Sequence, residues 1–73
     1  IRKFMRDQVL WRKISRIIML LARQLEVSPQ RALEIFYETR VSDRLHDPRY
    51  GLHLMSDAYI LEDIIRELQN REA

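Results

Sequence analysis

Two histidines, His46 and His53, stand close in sequence to Asp43 and Asp47, and neutral imidazoles with carboxylates are common ligands of a metal ion. The spacing argues against such a centre. Neither His-x-x-x-His nor Glu-x-x-His occurs, and the two histidines flank a turn. They read as ordinary polar loop residues; no metal or other cofactor is expected. Ser15, Ser28, Ser42 and Ser56 are the serine hydroxyls on offer, and each reads as helix surface or helix cap. A domain of three or four short elements has little room for a water-excluding pocket, so neither a catalytic residue nor a small-molecule substrate is expected and the chain reads as a non-enzyme. The absence of cysteine removes thiolate chemistry, disulfides and finger-type zinc sites. A single glycine, Gly51, rules out the glycine-rich loops that cradle nucleotide phosphates.

Binding is therefore the more promising chemistry, and the charges are unevenly spread. The formal net charge is only +2, yet residues 1–24 hold seven bases against one acid, while residues 25–73 hold six bases against ten acids. On a helical wheel six of the seven amino-terminal bases (Arg2, Arg6, Arg12, Lys13, Arg16 and Arg23) share one face, opposite an apolar stripe. Such a face suits a phosphate backbone or an acidic protein, and it equally suits a solvated surface whose arginines pair with neighbouring helices. It carries none of the interleaved aromatics that single-strand binders stack on bases. Met5, Val9, Met19 and Leu20 fall off the main stripe, among or beside the bases. Either a central helix buries some of them on a second side, or they form a contact surface for a partner protein or a second copy, since mixed apolar and arginine surfaces favour interfaces. The residues around Val27-Ser28-Pro29 also permit a helix-turn-helix. The second helix would then expose Gln30, Arg31, Glu34 and Glu38, a net negative set that repels phosphates.

The elements that must position these residues follow from the hydrophobic pattern. A length of 73 residues allows one small domain, and 47% hydrophobic with 33% charged residues is too apolar for disorder and too charged for a bilayer span. The longest wholly apolar run, Ile17 to Ala22, is far short of a membrane crossing; no membrane partner and a cytoplasmic location are expected. From Lys3 to Glu26 no Gly or Pro interrupts a helical period in which Leu10, Trp11, Ile14, Ile17, Ile18, Leu21, Ala22 and Leu25 fall on one face. Ser28 before Pro29 starts a second helix running to about Thr39, with Ala32, Leu33, Ile35, Phe36 and Tyr37 on its inner side. Residues 40–55 read as loop. Within them Ser42 is placed to cap a short helical turn, Asp47-Pro48-Arg49-Tyr50-Gly51 has turn chemistry, and the alternation of Tyr50, Leu52 and Leu54 fits a short extended stretch tucking two leucines inward. Ser56 caps a last helix from Asp57 to about Asn70, whose buried stripe is Ile60, Leu61, Ile64, Ile65 and Leu68. The fold class is all-α, a small three-helix domain with a short turn or helical piece between the second and third main helices.

Three strings, Phe36-Tyr37-x-Thr39, Leu45-x-Asp47-Pro48-x-x-Gly51-Leu52 and Ser56-x-x-Tyr59-Ile60, resemble a small bacterial family known as a numbered domain of unknown function, three-seven-nine-one. The resemblance covers about residues 17–68 and rests mostly on structural residues; the basic stretch of residues 1–16 departs from it. It implies an accessory or antitoxin-like protein, because members are often encoded beside a second protein resembling an ADP-ribosyltransferase fold. Together with the residues, it leads to the expectation of a non-catalytic protein–protein interaction module. Self-association is also expected, and the interface candidates are Met5, Val9, Arg12, Arg16, Leu20 and Tyr59. The alternative is a nucleic-acid-binding regulator using the basic face of the first helix.

Overall fold

The computed structural model describes the backbone of residues 2–72 and the side chains of residues 8–71. Helix α1 spans Arg2–Leu25, α2 Pro29–Tyr37, α3 Arg40–Leu45 and α4 Asp57–Glu72; two single 3₁₀ turns, Pro48–Tyr50 and Leu52–Leu54, join α3 to α4. The domain is all-α, with three main helices and short helical pieces between the second and third.

Each chain reversal has a local cause. Helix α1 stops because Glu26 takes a left-handed conformation (φ 56°). Its amide then donates to the Arg23 carbonyl at 3.3 Å and that of Val27 to Ala22 at 3.0 Å, the paired bonds of a Schellman ending. Ser28 begins α2 as its sequence position demands, its hydroxyl oxygen accepting from the Arg31 amide at 3.1 Å with Pro29 in the first turn. Ser56 does the same for α4, accepting from the Tyr59 amide at 3.1 Å.

Between them the structure corrects the expected loop. Helix α2 ends at Tyr37, two residues early, because Thr39 leaves the helical conformation to cap α3. The Thr39 hydroxyl donates to the Phe36 carbonyl at 2.6 Å and accepts from the Ser42 amide at 3.3 Å. Ser42, expected as a cap, lies buried inside α3 and donates from Oγ to the Thr39 carbonyl at 2.8 Å. A second, distant cap secures the same end: the Glu67 carboxylate of α4 accepts from the amides of Arg40 at 2.9 Å and Val41 at 3.3 Å. The extended stretch is also absent, since residues 52–54 form a 3₁₀ turn. Three residues per turn separate positions i and i+2 by two thirds of a circle, so Leu52 packs on the core while Leu54 is 78% exposed.

The core is a single cluster. Ile14, Ile17, Ile18, Leu21 and Ala22 of α1 meet Ala32 and Phe36 of α2, Val41 and Leu45 of α3, and Ile60 and Ile64 of α4, with Leu61, Ile65 and Leu68 partly buried around them. Helix α4 runs two residues beyond the expected Asn70.

Gly51 sits at φ 66° between the two 3₁₀ turns, where a Cβ would meet no neighbour within 4 Å. The cost of a side chain there is purely conformational. Gly51→Val should therefore destabilise the fold by about 1–2 kcal/mol, whereas Glu26→Gly, which relieves the same left-handed geometry, should stabilise it by up to about 1 kcal/mol. Thermal melts moving in the same direction for both variants would refute this account of the two turns.

Candidate functional site

Helix α1 is about 36 Å long and α2 about 13 Å at 1.5 Å per residue, so α2 cannot cover all of its neighbour. An open groove of about 380 Å³ lies between them, floored by Ile14 and Ile18 and walled by Trp11 and Met19 on α1 and by Pro29 and Leu33 on α2. Trp11 is 51% exposed, Met19 50% and Leu33 40%. Ser15 and Gln30 are the polar residues of its lining.

An aromatic array extends the wall. The Trp11 ring meets His46 edge-on at 6.1 Å, His46 stacks on Tyr37 at 5.9 Å, and Tyr37 packs edge-on against the buried Phe36 at 5.0 Å. Partial burial raises the Tyr37 phenol above its ordinary pKa. On the other side of Trp11 a second shallow depression, sharing Trp11 and Ser15 with the first, brings in Gln8, Arg12 and Arg16. Residues 8–25 contain Arg12, Lys13, Arg16 and Arg23 and no acid. Arg12 and Arg16 thus stand in the depression beside the groove, with no acid among the described side chains of α1.

The basic face itself is partly neutralised. Asp57, in the first turn of α4, accepts from Lys13 Nζ at 2.7 Å and Arg16 Nε at 2.8 Å. Hydrogen bonds from Arg16 and then Lys13 hold its carboxyl below the ordinary carboxylate pKa. Arg16, one of the interface candidates, thereby joins α1 to α4. Arg12 and Arg23 have no carboxylate partner among the described residues.

The other candidates scatter. Val9 and Leu20 are exposed on α1 and Tyr59 is half-exposed on the first turn of α4, none of them lining the α1–α2 groove; Met5 lies outside the described side chains. The residues that sequence patterning missed are Trp11, Leu33 and Tyr37, assigned to the inner side and found half-exposed. A signal was available for α2. Its apolar residues span about 200° of the helical wheel, more than a nine-residue helix packed on one side can bury.

His46 faces aromatic rings, and Asp47 is engaged by the Arg49 guanidinium at 2.7 Å, which with the Arg49 amide lowers its pKa. Among the described residues no three His, Asp or Glu side chains gather closely enough to hold a metal, and no helix is long and apolar enough to cross a membrane. No family model, curated protein or solved structure matches the chain.

Proposed function

We propose that the protein is a non-catalytic interaction module that receives an apolar, acid-flanked helix of a partner protein in the α1–α2 groove. The observation carrying this reading is the groove itself: three large apolar side chains left about half-exposed around a floor of buried isoleucines. Helices dock in such grooves through apolar anchors at one-turn spacing, and exposed Trp, Tyr and Met with Arg at the margin match the composition of interface centres. Arg12 and Arg16, in the depression that adjoins the groove at Trp11, favour acidic flanks on the ligand through complementary charge. The accessory or antitoxin-like role implied by the family resemblance belongs to this proposal.

Nucleic acid is the competing ligand for Arg12, Arg16 and Arg23. Asp57 weighs against it, because it cancels part of the field on the described stretch of α1.

The test is affinity capture from cells with the wild-type chain and with Leu33→Glu, followed by reconstitution of the captured protein from purified components. Leu33→Glu places an unpaired carboxylate in the apolar groove and should weaken the reconstituted complex at least about 100-fold, while Tyr59→Ala should change it less than about threefold. Leu33 is exposed, so the variant should keep the wild-type circular dichroism. A complex indifferent to Leu33→Glu would overturn the proposal. So would tight binding of mixed DNA or RNA that collapses between low and physiological salt, the signature of counterion release, and so would a sedimentation result in which the groove is filled by a second copy of the chain.

A further inference from the structure

We propose that the groove between α3 and α4 binds a phosphate monoester group. It is an open hollow of about 410 Å³, separate from the α1–α2 groove and sharing no lining residue with it. Four of the six arginines in residues 25–73 line it: Arg40 and Arg44 from α3, Arg66 and Arg71 from α4. This concentration lies in a part of the chain that holds ten acids, so it is not a by-product of a generally basic surface.

The two carboxylates in the groove are already committed. Asp63 accepts from Arg66 at 3.1 Å. Glu67 accepts from the amides of Arg40 and Val41 and lies 3.4 Å from Arg71, whose guanidinium also donates to the Glu38 carbonyl at the end of α2. Arg66 and Arg71 are thereby held in place. Arg40 and Arg44 have no carboxylate partner among the described residues, and the Arg44 guanidinium lies 6.0 Å from the Tyr50 ring.

Arg40 and Arg44 are four residues apart on one helix, a separation at which like charges face and repel. The groove therefore carries a surplus of two positive charges over its two carboxylates, with like charges crowded on α3. A doubly charged oxyanion relieves that crowding. The planar guanidinium fork matches phosphate oxygens two at a time, and the Asn70 side chain on the groove wall adds an amide donor. A monoester is a dianion near neutral pH, whereas each diester of a nucleic-acid backbone carries one charge and continues as a polyanion past the acids of α2 and α4. A phosphorylated side chain and a free phosphorylated small molecule present this same group, so the chemistry recognised is one.

The experiment is a titration of the wild-type domain at constant ionic strength, followed by arginine Nε–Hε resonances. Inorganic phosphate at pH 8 should give saturable shifts of Arg40 and Arg44 with a dissociation constant on the order of 1 mM. The double variant Arg40→Gln/Arg44→Gln should bind at least about tenfold more weakly, and Arg12→Gln/Arg23→Gln should bind as the wild type does. Lowering the pH to 5.5, where phosphate is mostly a monoanion, should weaken binding. Tighter binding of a blocked phosphoserine peptide than of glycerol 3-phosphate assigns the group to a protein, and the reverse order assigns it to a small molecule; either supports the site. The proposal is overturned if the wild type shows no saturation by about 50 mM phosphate, a concentration beyond any specific two-arginine site. It is overturned equally if the Arg12/Arg23 variant weakens binding as much, or if dimethyl phosphate binds as tightly as the monoesters.

Discussion

Phe36→Ala should cost the domain a large part of its stability. Phe36 is fully buried where α2 faces α1, it anchors Tyr37 edge-on at 5.0 Å, and its carbonyl accepts from the Thr39 cap of α3. Removing a buried phenyl ring costs about 3–5 kcal/mol, the lost transfer free energy plus the cavity left behind. A chain of this length has on the order of 4–11 kcal/mol to lose, and for a domain this small each kcal/mol lowers the melting temperature by roughly 4–8 °C. The midpoint should fall by about 15 °C or more. Phe36→Leu, which refills most of the volume, should recover the larger part, and Tyr59→Ala on the exposed side of α4 should stay within about 0.5 kcal/mol of wild type. A Phe36→Ala protein melting within a few degrees of wild type would mean that α2 is not held to α1 through this ring.

The second large effect concerns Asp57, and it carries a pH signature. Its carboxylate is three-quarters buried, bonded to Lys13 at 14% side-chain exposure and to the more exposed Arg16. Asp57→Asn leaves the Lys13 ammonium confined without its counter-charge and weakens the favourable interaction of a negative group with the first turn of α4. Solvent screening of Arg16 limits the total to about 1–2 kcal/mol at pH 7. Arg16 first, then Lys13, depresses the folded-state pKa of Asp57. A carboxyl whose folded pKa lies below its unfolded value of about 3.9 stabilises the fold fully above that value, and the contribution disappears as pH falls through the depressed folded value. The gap between wild type and Asp57→Asn in urea melts should accordingly be full at pH 7, shrink below about pH 4 and close as pH falls below the depressed folded value. The other carboxyls titrate in both proteins and cancel in the difference. A gap that is constant with pH would show that the ion pairs contribute nothing and that only the shape of the side chain matters.

Much of the helical layout was legible in the sequence because its signals are local. Ser28-Pro29 and Ser56 name their own helix starts, Gly51 names a left-handed turn, and the period of Ile14, Ile17, Ile18 and Leu21 names a buried face. Helix α3 was harder, since six residues give fewer than two turns to read, and its start depends on Thr39 and on Glu67, 27 residues from the amide it caps. Glu26 carried no left-handed signal, because the chain reversal into α2 and the packing of Val27 impose that conformation on a residue that does not prefer it.

The surfaces divide along the same line. That α1 is basic on one face and apolar on another is a property of residue order and the helical repeat alone, and so is the all-α class with its three main helices. Which bases are neutralised was decided by where α4 begins, because Asp57 reaches Lys13 and Arg16 across more than forty residues. Which apolar residues are buried was decided by how α2 lies against α1: Trp11, Met19 and Leu33 flank the contact and line a groove, although two of the three lie within their helices' expected apolar faces. Periodicity states which side of a helix is apolar; only the position and extent of the neighbouring helix states how much of that side leaves water.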